Sequence, residues 1–111
     1  YVGLVAEIDG VDIGFMTVEN LQGDFGATCW IGSCWVAPHI RGRGVLKSLF
    51  AHLDSKSEER DWAIQGLGVW VTNSGAISAY EKIGFITMGE PTESTRKPGI
   101  YYQRMIRKSS Y

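Results

Sequence analysis

The stretch CWIGSCWVAPHIRGRGVLKSLFAHL, residues 29–53, decides the fold. Its first part, Cys29–Val36, is apolar and rich in aromatic and β-branched residues, which predicts a central strand ending before Pro38. After two glycines the pattern changes to helical spacing, which predicts a helix over Val45–Arg60. The apolar stripe of that helix consists of Leu46, Leu49, Phe50 and Leu53. A strand that leads into a long helix predicts a right-handed crossover to a parallel neighbouring strand.

The segments on either side of this unit are mostly strand-like. Asp9 and Gly10 separate two β-rich runs, which is typical of a hairpin. The predicted strands are Val2–Ile8, Val11–Val18, Cys29–Val36, Leu67–Thr72, Phe85–Met88 and Ile100–Arg107; a second helix is predicted over Ala76–Ile83, and loops over Asn20–Thr28 and Glu90–Gly99. The order is β-β-β-α-β-α-β-β, which predicts a mixed, twisted α/β sheet.

Size and composition indicate one ordinary globular domain over residues 1–111. The chain is 44% hydrophobic and 21% charged, with a formal net charge of −1, so nothing in the charge favours a nucleic-acid or membrane partner. No stretch has the length and apolarity of a membrane span, and no signal segment opens the chain. Because Tyr1 already lies in a strand-like pattern, we expect the sequence to be a piece of a longer protein.

The two cysteines, Cys29 and Cys34, are five residues apart in one predicted strand. An odd separation predicts opposite faces, so we expect two small buried apolar side chains without a mutual disulfide. Reduced thiols are typical of a cytoplasmic protein. The same spacing places Trp30 and Trp35 on opposite faces, one in the core and one lining an acceptor cleft. For Trp62 and Trp70 we expect core positions.

The turn between the central strand and the long helix has the features of an anion site. Gly42 and Gly44 let backbone N–H groups approach a ligand, and the first N–H groups of a helix have no internal partners. Arg41 and Arg43 add positive charge suited to phosphate oxygens. The alternative is a glycine-rich turn with surface arginines. The spacing matches neither a Walker loop nor a dinucleotide fingerprint.

The run from Val36 to Leu49 resembles the acetyl-CoA motif of the GNAT superfamily of N-acetyltransferases. That motif is Arg or Gln, two variable residues, Gly, one variable residue, then Gly or Ala, and here Arg41, Gly44 and Leu46 occupy the named places. Leu46 departs from the motif and either crowds the pyrophosphate or turns into the core. The resemblance implies cofactor contacts from Val36, Arg41, Gly42, Arg43, Gly44, Val45, Leu46 and Asn73.

A second resemblance to the same family lies in the pattern N-x-x-A-x-x-x-Y-x-x-x-G-F. Its named places are filled by Asn73, Ala76, Tyr80, Gly84 and Phe85. The resemblance implies the acyl-CoA N-acyltransferase fold, here lacking its first strand and helices. It also implies that the pantetheine arm inserts between the two central strands, against the backbone of Cys34, Trp35 and Val36.

Tyr80 is the candidate catalytic residue, because the family's equivalent tyrosine is placed near the thioester sulfur. A phenol that stays protonated at neutral pH can donate a proton to the expelled thiolate. The alternative is a buried aromatic ring whose hydroxyl makes only a local hydrogen bond. We expect Asn73 to cap its helix and to touch the cofactor arm.

Other roles are less well marked. Candidate bases for the attacking amine are Glu19, Asp24, Glu7 and His39, and His52 in the long helix is expected to be structural. A nucleophilic role for Cys34 would need an activating base, and none is evident. The basic C-terminal residues are expected to be solvated, with a contact to the cofactor's 3′-phosphate as the alternative; they are Arg96, Lys97, Arg104, Arg107 and Lys108. No cluster has metal-ligand spacing.

The resemblance therefore predicts an N-acetyltransferase that uses acetyl-CoA as co-substrate, needs no metal, and acetylates a small-molecule or peptide amine by direct attack. Homodimers are common in the family. A different class of function also fits, namely a non-catalytic acyl-CoA-binding module or sensor, because no general base is marked in the sequence.

Overall fold

One mixed sheet carries two α-helices in this computed structural model, which describes residues 2–8, 10–42 and 44–109. The strands are β1 (Val2–Ile8), β2 (Val11–Glu19), β3 (Cys29–Val36), β4 (Ile64–Trp70), β5 (Ile86–Glu93) and β6 (Tyr101–Lys108). The helices are α1 (Val45–Arg60) and α2 (Ser74–Ile83), and single 3-10 turns lie at Asp24–Gly26 and Pro38–Ile40. The predicted element order is confirmed.

The strands lie side by side in the order β1-β2-β3-β4-β6-β5. Neighbours are antiparallel except β3 and β4, which are parallel and connected through α1. The parallel pairing extends only from Cys29 opposite Gln65 to Ile31 opposite Leu67. Beyond that point β3 pairs only with β2 and β4 only with β6. The two central strands therefore separate at their carboxyl ends.

Both helices pack on the same face of the sheet. The predicted stripe of α1 is confirmed: Leu49, Phe50 and Leu53 are buried in the core, and Leu46 is partly buried against it. From α2, Ala76, Ile77, Tyr80 and Ile83 pack against the same core. The other face leaves large rings exposed, among them Phe15, Trp35 and Trp70.

A β-bulge in β3 places the side chains that follow it on the opposite face of the sheet from the one predicted. Thr17 pairs with Ser33 and the next residue, Val18, pairs with Ile31, so Gly32 has no partner in β2. One extra residue shifts the alternation of every later side chain to the other face. Cys29 is buried in the core and Cys34 packs against that same core, so the prediction of opposite faces was wrong. Both thiols are nevertheless free.

The tryptophans follow the same shift. Trp30 lies against Gly66 and Gly23, and Trp35 stacks on Phe15 with 5.9 Å between ring centres. Both therefore lie on the face away from the helices, and neither is a core residue. Trp62 is buried as predicted, and its indole Nε1 donates to Asn20. Trp70 is 41% exposed, so its predicted core position was wrong.

Two strand boundaries differ by three residues or more from the sequence-based prediction. β4 begins at Ile64 rather than Leu67, because Gln65 and Gly66 join the sheet although neither favours strands. β5 continues into the predicted loop as far as Glu93. Pro91 fits there because β5 is the edge strand, where a missing N–H breaks no ladder bond, and because the pairing is interrupted between Met88 and Thr92.

Candidate active site

A cleft of about 1090 Å³ opens where β3 and β4 separate. Its walls are β3, the end of β4, the turn before α1, the start of α1, and α2. The following predicted site residues line it: Val36, Arg41, Gly42, Gly44, Val45, Leu46, Asn73 and Tyr80. Arg43, the remaining predicted cofactor residue, lies outside the described residues. The structure thus brings together two motifs that are about thirty residues apart in sequence.

The turn before α1 has the backbone that its glycines predict. Gly42 and Gly44 both have φ +83°, a left-handed conformation that side chains with a Cβ rarely adopt. Gly44 is the N-cap of α1, and no side chain caps the helix there. The Nε of Arg41 donates to the carbonyl oxygen of Val36 over 3.1 Å, which folds the arginine against the end of β3. An uncapped helix start beside an arginine is suited to an anion.

Leu46, the departure from the first motif, packs against the core while also lining the cleft. Of the two alternatives stated for this residue, the packing supports the inward turn.

Asn73 caps α2, as predicted. Its side-chain oxygen accepts from the N–H of Ala76 over 3.2 Å. Gly84, with φ +115°, ends the helix. The two residues therefore fix the start and the end of the ten-residue helix that contains Tyr80.

Tyr80 is held between two other rings. Its ring meets Phe50 edge-on at 6.3 Å between centres and Phe85 at 5.7 Å. The Tyr80 hydroxyl and the Cys34 thiol are close enough in the cleft wall for each to shift the pKa of the other. The interaction raises the pKa of Tyr80 and lowers that of Cys34, which is the direction expected for a hydroxyl that faces a sulfur as a donor. Tyr80 thus lies next to a sulfur atom.

The pKa of the Tyr80 hydroxyl is raised well above its usual range. Burial is the main cause, followed by the charge and the hydrogen bond of Cys34. Burial also raises the pKa of the Cys34 thiol to about 11, although the bond from Tyr80 partly offsets this. Both groups therefore stay protonated at neutral pH. A protonated phenol is suited to donate, and a protonated thiol is a poor nucleophile.

We expect the thiol of Cys34 to react with iodoacetamide at pH 8 about tenfold to a hundredfold more slowly than free glutathione. At that pH the thiolate is about 0.1% of a thiol of pKa about 11, and its higher intrinsic nucleophilicity offsets only part of this. Mass spectrometry of the peptides measures the rate at each cysteine. Cys29, whose pKa is raised by burial to about 12, serves as the slower internal reference. Alkylation of Cys34 at the rate of free glutathione would contradict a raised pKa for the Cys34 thiol.

The candidate bases are spread around the sheet. The carboxylate of Glu19 lies on the face away from the helices, with Oε1 3.6 Å from the place a Cβ on Gly32 would occupy. Asp24 is engaged with Arg104 at 2.8 Å. His39 is exposed and does not line the cleft, and the side chain of Glu7 lies outside the described residues. Of these candidates, Glu19 is the carboxylate next to the bulge.

Two lysines in the cleft wall were not recognised in the sequence. Lys47 and Lys82 both line the cleft. Lys47 is exposed and by its type alone is predicted to be solvated. Its place in the first turn of the helix after Gly44 is the only feature that indicates a role in the cleft. Arg104 and Arg107 of the basic C-terminal section make ion pairs with Asp24 and Asp54, and neither lines the cleft.

Within residues 2–8, 10–42 and 44–109, no three His, Cys, Asp or Glu side chains come together in a way that could hold a metal ion. No helix in those ranges has both the length and the apolarity to cross a bilayer.

The acetyltransferase (GNAT) family model matches residues 1–85, which include the whole turn before α1 and the whole of α2. The chain belongs to the GNAT acetyltransferase family. None of the curated proteins matches the chain in sequence.

Solved GNAT structures share the fold at low sequence identity. The ribosomal-protein-S18-alanine N-acetyltransferase of Escherichia coli is 20% identical with a TM-score of 0.73, over 100% of this chain and 70% of that one. A protein of Salmonella typhimurium named as an acetyltransferase was solved with its cofactor acetyl-CoA. It is 20% identical with a TM-score of 0.77, over 97% of this chain and 64% of that one. Nourseothricin acetyltransferase is 26% identical with a TM-score of 0.75, over 92% of this chain and 61% of that one.

Proposed function

We propose that this chain is the catalytic part of an acetyl-CoA-dependent N-acetyltransferase that acts by direct attack of an amine on the thioester. One observation carries the proposal. Residues from both motifs line one cleft, and its walls include both the turn before α1 and Tyr80, whose hydroxyl lies close to the sulfur of Cys34.

In this proposal the turn holds the pyrophosphate of the donor. The N–H groups at the start of α1 and the glycine backbone at Gly42 and Gly44 approach the phosphate oxygens, and Arg41 and Arg43 balance their charge. The pantetheine arm lies between the separated strands, where β3 has no β4 partner beyond Ile31. Asn73 borders the same space from the start of α2.

The proposed reaction uses few groups of the chain. The amine nitrogen attacks the thioester carbon, and the negative charge that develops on its oxygen is stabilised by a backbone N–H of β3. The carbon–sulfur bond then breaks, and Tyr80 donates its proton to the leaving sulfur. The amine loses a proton to Glu19 or to water. In the free protein the sulfur next to the Tyr80 hydroxyl is that of Cys34.

A second class of function has an observation in its favour. The described residues that line the cleft include no Asp or Glu, so no carboxylate there is placed to accept the amine proton. A non-catalytic acyl-CoA-binding module would have this composition. It would bind the donor tightly and release no CoA.

The experiment that separates the two is a screen of the full-length protein with acetyl-CoA and a panel of amines, including small-molecule amines and peptide N-termini. Thiol release is followed together with the mass of the acceptor. Acetylated amine supports the enzyme. Micromolar or tighter CoA binding by calorimetry, without turnover on any amine, supports the module, and no binding at all contradicts both.

We expect Arg41→Ala to raise the KM for acetyl-CoA roughly tenfold to a hundredfold while changing kcat little. Loss of a hydrogen bond to a charged group costs about 1.5–3 kcal/mol, and the contact is made equally before and during the reaction. The matched control is Arg60→Ala, which removes an exposed arginine at the far end of α1, outside the cleft. Equal KM values for the two variants would remove Arg41 from the donor site.

A further inference from the structure

A buried polar cluster ties β6 to α1 and β4. The guanidinium of Arg107 makes two parallel hydrogen bonds with the carboxylate of Asp54, Nη1 to Oδ1 at 2.7 Å and Nη2 to Oδ2 at 2.8 Å. Gln65, which is fully buried, accepts from Arg107 Nη1 at 2.8 Å and donates to Asp54 Oδ1 at 2.8 Å. A bidentate arginine–carboxylate pair fixes orientation as well as distance. The cluster therefore holds Arg107 in one position.

The Nε–H of this guanidinium reaches α2. Arg107 Nε donates to the carbonyl oxygen of Ile83 over 3.0 Å. Ile83 is the last residue of α2, and the last carbonyl groups of a helix have no partner within the helix. A cation at this end also complements the helix dipole. Arg107 thus joins the end of α2 to α1 through Asp54.

The same guanidinium touches the ring on which Tyr80 rests. Its central carbon lies 5.7 Å from the centre of the Phe50 ring, and Tyr80 packs edge-on against that ring. Phe50 lies one helical turn before Asp54 in α1, and Tyr80 lies one turn before Ile83 in α2. Arg107 therefore contacts both the helix that carries Tyr80 and the ring that supports it.

We propose that Arg107 is a positioning residue for Tyr80. It fixes the distance of α2 from the sheet and so keeps the Tyr80 hydroxyl where the leaving sulfur of the donor would lie. This inference rests on the proposed function, in which Tyr80 protonates that sulfur. A displacement of about 1 Å can cost on the order of a hundredfold in rate. A buried ion pair adds little net stability because desolvation offsets its attraction, so the fixed geometry is the main contribution of the cluster.

The first test does not depend on activity. The variant carries Asp54→Leu together with Arg107→Met, which removes both charges so that neither is left buried alone. The control carries Asp24→Leu with Arg104→Met, which removes the other described ion pair, one that joins the Asp24–Gly26 turn to β6 without touching α2. The alkylation rates of Cys34 and Cys29 are measured in both.

If Arg107 positions α2, iodoacetamide alkylates Cys34 at least tenfold faster in the first variant than in the unsubstituted protein, and the rate at Cys29 is unchanged. The two thiols differ because Cys34 is shielded by Tyr80 whereas Cys29 lies deeper in the core. The control leaves both rates unchanged. An unchanged Cys34 rate overturns the proposal. So does a parallel rise at both cysteines, since that is general loosening of the fold.

The second test uses turnover. We expect the Asp54→Leu and Arg107→Met variant to lower kcat tenfold to a hundredfold with the KM for acetyl-CoA within twofold. On a Tyr80→Phe background the same pair should lower kcat less than twofold, because the hydroxyl it positions is gone. Equal losses on both backgrounds overturn the proposal. A protein without turnover overturns the proposed enzyme, and the alkylation rates still decide whether Arg107 fixes α2.

Discussion

Tyr80→Phe is expected to lower kcat by about 10²- to 10⁴-fold, the usual contribution of a positioned general acid. The substitution removes only the hydroxyl, so the edge-on contacts of the ring with Phe50 and Phe85 remain. Donor binding should change little, because the turn proposed to hold the pyrophosphate is separate from α2. The loss therefore falls on kcat rather than on the KM for acetyl-CoA, as steady-state kinetics with the best amine of the screen would measure.

The pH dependence gives the same role a second check. A general acid works below its pKa and fails as the pH rises through it. Because burial raises the pKa of Tyr80 well above its usual value, kcat of the unsubstituted protein should not fall between pH 7 and about pH 10, close to the pKa of an unperturbed tyrosine.

The matched control for Tyr80→Phe is Tyr102→Phe, which removes another hydroxyl from the cleft lining. Tyr102 lies on β6, on the side of the sheet where its ring faces Gly68. A kcat within about threefold of the unsubstituted protein is expected for Tyr102→Phe. If Tyr80→Phe behaves the same way, the proton reaches the sulfur by another route.

Phe50→Ala is expected to lower the free energy of unfolding by about 3–5 kcal/mol, the usual cost of removing a large aromatic side chain from a packed core. Phe50 is 1% exposed, and its ring contacts Tyr80, Phe85 and the guanidinium of Arg107. A domain of this size is stable by only about 5–15 kcal/mol in total. The midpoint of urea unfolding should fall accordingly, with the slope of the transition unchanged.

Phe15→Ala is the matched control for the core substitution. It removes the same side chain from the sheet face away from the helices, where Phe15 is 40% exposed. A loss of about 1 kcal/mol is expected there, from the partly buried area and the contact with Trp35. Equal losses from the two variants would mean that Phe50 does not occupy the described core.

The local signals explain how much of the fold was predictable. The bounds of β3 and α1 match because Pro38 and the two glycines of the turn mark both ends of the connection between them. The parallel pair follows from the handedness of crossovers rather than from any side chain. β5 was cut short in the prediction because Gly89 and Pro91 favour loops locally, whereas the edge position in the sheet allows both.

The candidate site was likewise predictable only in part. The predicted residues that line the cleft fall into two short motifs, so their type and spacing could be recognised in the sequence. The proximity of Cys34 in β3 to Tyr80 in α2 could not be recognised, because it depends on where two distant segments meet. The link from Arg107 through Asp54 to α1 likewise spans 53 positions of the chain. Polar residues in such clusters look solvated until their partners are known.

The unpaired Gly32 in β3 bears on how insertions and deletions act in this chain. An alignment with a relative whose strand lacks the extra residue needs a one-residue gap at Gly32, and a gap placed after Cys34 would equate Cys34 with a residue of the opposite face. Deleting Gly32 would reverse the facing of the residues that follow it in β3, which would carry Trp35 beneath the helices and Cys34 out to the far side. The sulfur partner of Tyr80 thus depends on the number of residues in β3 as much as on their identity.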